Sequence, residues 1–443
     1  MMRRWKIEIK FLTRVLVAAG LVTAFAVTPV LAQDEQFIPL LVYRTGPYAP
    51  NGIPTANGYV DYLKLLNARD GGINGVKVKW EECETKYNTK IGVECYEKLK
   101  SGASVVNPYS TGITYQLIPK APVDKVPIHS MGYGRTAAAD GRIFKWAFNF
   151  PTTYWSQASA FVKYVGEQEG SMDKLKGKKI ALVYHNSPYG KEPIPTLTIL
   201  AEKYGYDLKL LAVDHPGQEQ KATWLQVRRY RPDWIFMWGW GVMNQVAIKE
   251  AASIKFPMDH FIGVWWSGSE SDVVPAGEGA KGYKSGNFHG VGSGFGVHAD
   301  ILKHVYDGDE AAAKGNNFGE VLYNRGVMNA VYDTEAIRTA MGKYGNGVMS
   351  GEQVRWGLEN LNLTEVRLKE LGLEGYTQPL KVTCEDHEGN GPVFIQQWDG
   401  QKWSKVSDWI SPMRDVVRAQ IEKAASEYAK ENNITPRDCS AEG

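Results

Sequence analysis

The sequence predicts an α/β protein with two successive βα units, each a parallel sheet wound on both faces by helices. Three observations predict it. Short apolar runs alternate with segments of helical period. That alternation runs from Phe37 to about Ser130 and restarts near Tyr154. Each strand then breaks at a turn rich in Gly, Pro, Asn or Ser. The 443 residues, 43% hydrophobic and 23% charged, have ordinary globular composition and suit two to three domain-sized units.

Met1–Ala32 stands apart. Arg3, Arg4, Lys6, Lys10 and Arg14 form a basic head, with Glu8 the lone acid; Val15–Val27 is apolar, and Pro29–Ala32 offers small residues. This is the pattern of a secretory signal peptide, with an apolar run too short to span a membrane. Its removal takes five bases and one acid, turning 51 bases and 49 acids into 46 and 48. The charge balance offers no footprint for nucleic acid. Four cysteines in an exported chain suggest disulfides. Three pairings are open; Cys83 with Cys95 and Cys384 with Cys439 are the most local and are favoured, with free buried thiols the alternative.

In the first unit, Phe37–Arg44 reads as a strand, Thr45–Gly52 as a Gly/Pro turn, and Tyr59, Tyr62, Leu63 and Leu66 as one face of a helix. Val76–Glu81 alternates as a strand, and Thr89–Lys100 is helical. Ser104–Gln116, SVVNPYSTGITYQ, reads as strand, hydroxyl-rich turn and helix start. The first turn of a helix leaves N–H groups unpaired and favours negative charge, so this corner suits an anion, although Ser before a helix is more often a cap. Lys125–Ser130 is the fourth strand.

In the second unit the strands are Lys179–Tyr184, Leu208–Val213, Trp234–Trp238 and Phe261–Trp266. The helices are Tyr154–Gly166, Pro195–Tyr204, Trp224–Arg229 and Val242–Ala252. After Gly282 come Gly-rich turns and helices near Val297–Tyr306, Asn317–Met341 and Ser350–Leu361. Phe394–Trp403 reads as a hairpin through Asp399-Gly400. Met413–Lys430 is an amphipathic tail helix with Val416, Val417, Ile421, Ala424 and Tyr428 on its stripe.

Two such units bind a ligand where strand C-termini meet a crevice. The candidates are therefore Tyr48, Tyr109, Ser110, Thr111, Ser130, Met131, Gly132 and Tyr133 in the first unit. In the second they are Tyr189, Trp240 and Trp265. They are rich in rings and hydroxyls and carry no charge. No Gly-x-Ser-x-Gly elbow, His-Glu-x-x-His or paired Cys-x-x-Cys occurs, so neither that hydrolase chemistry nor a metal or other cofactor is indicated. Gly290–Gly294 imitates a dinucleotide loop without its third glycine and reads as a linker. Asp386-His387-Glu388 reads as a solvated loop ahead of the hairpin.

Over roughly Phe37–Trp409 the chain resembles the type I periplasmic solute-binding proteins of ABC importers, in the leucine/isoleucine/valine-binding group. TGPYAPNG, ARDGGINGVKVK, the Tyr109–Thr114 turn, KIALVYHNSPYGKE and FIGVWWSGSESDVVPAGEGAKGY carry the resemblance. It implies two lobes joined by three crossovers near Phe148–Thr152, Gly282–Phe288 and Leu373–Val382. The N-terminal lobe would comprise 33–148 and 284–375, the C-terminal lobe 149–283 and 382–411, with 412–443 a helical extension. By the same resemblance Ser110 and Thr111 hold a ligand carboxylate, Ser130–Tyr133 and Tyr189 add contacts, and an aromatic falls at Trp240. Amino-acid binders of this family place an acid at the position that is Trp265 here, with Glu270 and Asp272 further on. The departure favours a ligand with a carboxylate or amide head and an apolar or aromatic body, against the family default of a branched-chain amino acid. The implied protein is a periplasmic, monomeric, non-enzymatic carrier that delivers a small-molecule ligand to membrane permease subunits. A sensor feeding a receptor and a secreted hydrolase or amidase are the alternatives.

Overall fold

The computed structural model describes residues 35–441; the predicted leader lies outside the described residues. Gln36–Val42 pairs in parallel with Val78–Glu84. Parallel pairing then steps through single bridges, Leu40 to Asn107 and Val106 to Ile128. It ends with Ile128–His129 beside Ala147–Phe148. The strand expected at Ser104–Val106 is thus reduced to bridges, because Asn107-Pro108 turns the chain away at once.

The second sheet has seven strands. Asp207–Val213 forms one edge and pairs with Lys179–His185, after which Trp234–Trp238, Phe261–Gly263 and Lys284–Asn287 follow, all in parallel. The Phe394–Trp398 and Trp403–Lys405 hairpin adds the antiparallel edge. Lys284–Asn287 falls where the family resemblance implies a crossover, and pairing on both sides makes it a strand of this sheet. The FIGVWW strand stops at Gly263, and Val264–Trp266 turns out of the sheet.

The expected Gly/Pro turn is shorter than predicted. A helix already begins at Ala49, with Pro50 in its first turn, and runs to Arg69. It crosses the helix Val321–Tyr344 at Gly58 and Gly326, where a Cβ on either would overlap the backbone of the other. That second helix is buried nearly all round, so its polar side chains must find partners inside. Asp333 accepts from the Tyr59 hydroxyl (2.6 Å) and Asn107 Nδ2 (2.6 Å) and sits 2.7 Å from His129 Nδ1.

Asp386-His387-Glu388 is a buried junction rather than a solvated loop. His387 and Glu388 are fully buried. His387 Nδ1 lies 2.7 Å from the Ala147 carbonyl, and the Glu388 carboxylate accepts from Thr153 N and Oγ1 at 2.9 and 2.8 Å. The tail helix Arg414–Glu431 packs Val417 and Ile421 with Ala139 and Trp155 and Ala425 with Ala137, Ala138 and Phe144, while Arg414 and Arg418 reach Asp386; Val416, Ala424 and Tyr428 are half-buried. Disulfides join Cys83 to Cys95 and Cys384 to Cys439. Among the described residues no helix is long and apolar enough to cross a membrane.

Candidate functional site

The strand ends of the two sheets face each other across a shell of aromatic rings. Tyr43, Tyr48, Tyr87, Tyr109 and Tyr133 come from the first sheet's side; Tyr154, Tyr189, Trp240, Trp265 and Trp266 come from the second. Trp240 is the hub. Its ring lies 5.9 Å from Tyr43, 5.5 Å from Tyr87, 6.1 Å from Tyr133, 6.1 Å from Tyr189 and 5.1 Å from Trp266. Burial raises the hydroxyl pKa of Tyr43, Tyr133, Tyr154 and Tyr189 well above the ordinary value, so all four stay protonated donors.

The loop after the first sheet's fourth strand is clasped by the second side. Gly132 adopts φ 73°, a backbone conformation that suits glycine. Its carbonyl accepts the indole N–H of both Trp265 (2.9 Å) and Trp266 (2.5 Å). Trp265 also stacks on Tyr154, centroids 5.1 Å apart, and Trp266 lies tilted against Tyr133 at 4.4 Å. The Tyr133 and Tyr43 hydroxyls pair at 3.0 Å.

The sequence candidates divide by what already engages them. Tyr48 Oη lies 3.1 Å from His185 Nε2, and Tyr189 donates to the Gly239 carbonyl at 2.7 Å. Tyr109 is held at φ 48°, a left-handed conformation costly for a bulky residue, and its hydroxyl accepts from Asn329 Nδ2 at 3.0 Å. Ser110 caps the helix Thr111–Leu117, accepting from Ile113 N. Thr111 Oγ1 accepts from Gly134 N at 3.0 Å. Ser130 Oγ is paired with Thr114 Oγ1 and donates to the Gly134 carbonyl, so its capacity is largely taken within the loop. Met131 is buried core. Among the described residues, two buried donors in the shell meet no protein acceptor: Trp240 Nε1–H and the Tyr154 hydroxyl, whose oxygen faces the Trp266 indole N–H.

Sequence reasoning missed Tyr43, Tyr87, Tyr154 and, above all, Arg325. Arg325 is wholly buried on the Val321–Tyr344 helix. Its Nε donates to His289 Nε2 at 3.0 Å, Nη2 to Asn287 Oδ1 at 3.0 Å and Nη1 to the Trp265 carbonyl. The guanidinium lies 4.7 Å from the ring centroids of both Trp266 and Phe288. Burial pulls its pKa down to about 9, which keeps it charged at neutral pH. Burial and the adjacent guanidinium hold His289 neutral, as an acceptor at Nε2 requires. The signal was present as a charged residue on a helix otherwise fit for a core.

The carboxylates near this shell serve local backbone. Asp272 accepts from Ser269 N and Oγ and from Asn244 Nδ2, and Glu270 accepts from Val321 N at 3.0 Å. Among the described residues no group of His, Cys, Asp and Glu is arranged to hold a metal.

Two opposed sheets with an aromatic, donor-lined seam define a solute-binding protein. Residues 35–402 match the family model of the periplasmic binding proteins, and the chain belongs to that family. A protein from the Pseudomonas fluorescens group, described as an ABC transporter permease, is 45% identical, with TM-score 0.85 over 92% of this chain and 99% of its own. A branched-chain amino acid ABC transporter protein from Thermus thermophilus with bound valine is 21% identical, with TM-score 0.72 over 88% and 99%. A solute-binding protein of an ABC transporter from R. palustris in complex with benzoate is 16% identical, with TM-score 0.66 over 86% and 97%. No curated protein sequence matches the chain.

Proposed function

We propose that this chain is the periplasmic solute-binding component of an ABC importer. It captures a small organic solute, with an apolar or aromatic body and a carboxylate or amide head, by closure of two lobes. It hands the solute to membrane permease subunits without chemical turnover. The observation that carries this reading is the aromatic shell, drawn from strand ends on both sides and holding two buried donors that meet no acceptor among the described residues, Trp240 Nε1–H and the Tyr154 hydroxyl. Rings grip a planar or aliphatic body, and donors alone suit an acceptor head. Tyr48, Tyr109, Ser110, Thr111, Tyr133, Tyr189 and Trp265 line the same seam as its further contacts.

A thermal-shift screen of the mature protein tests this. The panel holds branched-chain and aromatic amino acids, aromatic carboxylates, short aliphatic acids and small amides. A bound solute raises Tm in proportion to RT ln(1 + [L]/Kd). A shift with one solute class, with the solute recovered unchanged, is the expected result. Conversion of the solute, or silence across the panel, refutes the reading.

A further inference from the structure

The charge of Arg325 bears on which head the seam accepts. Guanidinium carries five N–H donors, and three of them meet acceptors that are all neutral: His289 Nε2, Asn287 Oδ1 and the Trp265 carbonyl. Among the described residues no carboxylate lies within ion-pair distance of it. A fully buried cation without an anion is unfavourable by several kcal/mol.

The cation is not remote from the seam. It lies 4.7 Å from the Trp266 ring centroid, and Trp266 touches Trp240 and Tyr133. The nearest acids do not compensate it. Asp272 is consumed by Ser269 and Asn244, Glu270 by Val321 N, and Glu192 by Tyr115 and Thr136. A solute bearing an ammonium would add a second positive charge where low dielectric magnifies repulsion. Of the shell's rings Trp266 already faces the guanidinium, and a cation–π contact with another would recover only about 0.5–2 kcal/mol. A solute bearing only a carboxylate would instead neutralise the buried charge and accept from Trp240 Nε1–H and the Tyr154 hydroxyl.

Resting on the solute-binding reading above, we infer that the site selects a carboxylate without an α-ammonium, and that Arg325 is the specificity-determining residue that imposes this. Calorimetric titration of matched triples tests it: isovalerate, isovaleramide and leucine, and phenylacetate, phenylacetamide and phenylalanine. The carboxylate of at least one triple is expected to bind roughly ten-fold or more tightly than its amide and amino acid, the scale of a charge-assisted contact. In Arg325→Met the carboxylate's advantage over its amide should be lost, the two affinities falling to parity; Arg325→Lys should keep the order. Equal or tighter binding of the amide or the amino acid overturns the inference and leaves solute binding standing. An undiminished carboxylate preference in folded Arg325→Met also overturns it. If neither variant folds, the wild-type ratios decide. If no member of either triple binds, the inference falls, and the wider thermal-shift panel then decides whether solute binding falls with it.

Discussion

Trp240 carries a buried N–H that meets no protein acceptor. An unsatisfied buried donor is unfavourable by about 1–3 kcal/mol. Trp240→Phe keeps a ring and removes the donor, so it should leave thermal stability unchanged or slightly raised. Solute affinity should meanwhile fall by about 0.5–1.5 kcal/mol, the size of one neutral hydrogen bond. Equal losses in both would mark Trp240 as packing alone. Ser110→Ala acts differently, because Ser110 is a helix cap as well as a proposed contact. It should lower unfolding free energy by ~1 kcal/mol in urea titration. Residues such as Tyr109, Tyr189 and Trp240 were legible because each follows a strand, and strand position is written in the hydrophobic pattern. Arg325 and Tyr154 were not, since helix period says which residues share a face but not which distant loop that face meets.

Strands and helices with strong patterning came through in sequence. Lys179–His185, Trp234–Trp238 and the helix Thr89–Leu99 sit within a residue or so of their expected limits. Elements fixed by pairing alone did not. Lys284–Asn287 has no apolar alternation and exists because Phe261–Gly263 and Phe394–Trp398 flank it. His387 and Glu388 likewise meet segments far away in sequence: His387 stacks on Phe148, and Arg414 of the tail helix reaches Glu388 and Asp386. The Cys384–Cys439 bond closes a 55-residue separation that spans the hairpin and this helix. Replacing both cysteines with serine removes that constraint on the unfolded chain. It should lower stability by roughly 4 kcal/mol by loop-closure entropy, read as the shift in denaturant midpoint. A change below about 1 kcal/mol would mean that the helix is held by its packing alone.

At the scale of the whole molecule, the contact between the two sheets' sides has a titratable member. Glu192, from the second side, accepts the Tyr115 hydroxyl at 2.5 Å and Thr136 N at 3.3 Å from the first. Burial raises its carboxyl pKa above the ordinary carboxylate range, despite those donors and nearby Arg135. If the two lobes close over the solute as proposed, opening the seam returns the group to water and to its ordinary value. The closed form therefore binds the proton more tightly than the open one. Closure is favoured below the ordinary carboxyl range and weakens as pH rises from that range through the raised value. Solute affinity should fall over this interval and level off once Glu192 is ionised in both forms. Glu192→Gln retains an acceptor for Tyr115 without a titrating proton, so its affinity should stay flat across the same interval. Titrations of the two proteins against a solute that does not itself ionise there, at several pH values, decide the matter. Diverging profiles place the proton on Glu192, and parallel profiles mean that this carboxylate keeps one charge state whether the seam is open or shut.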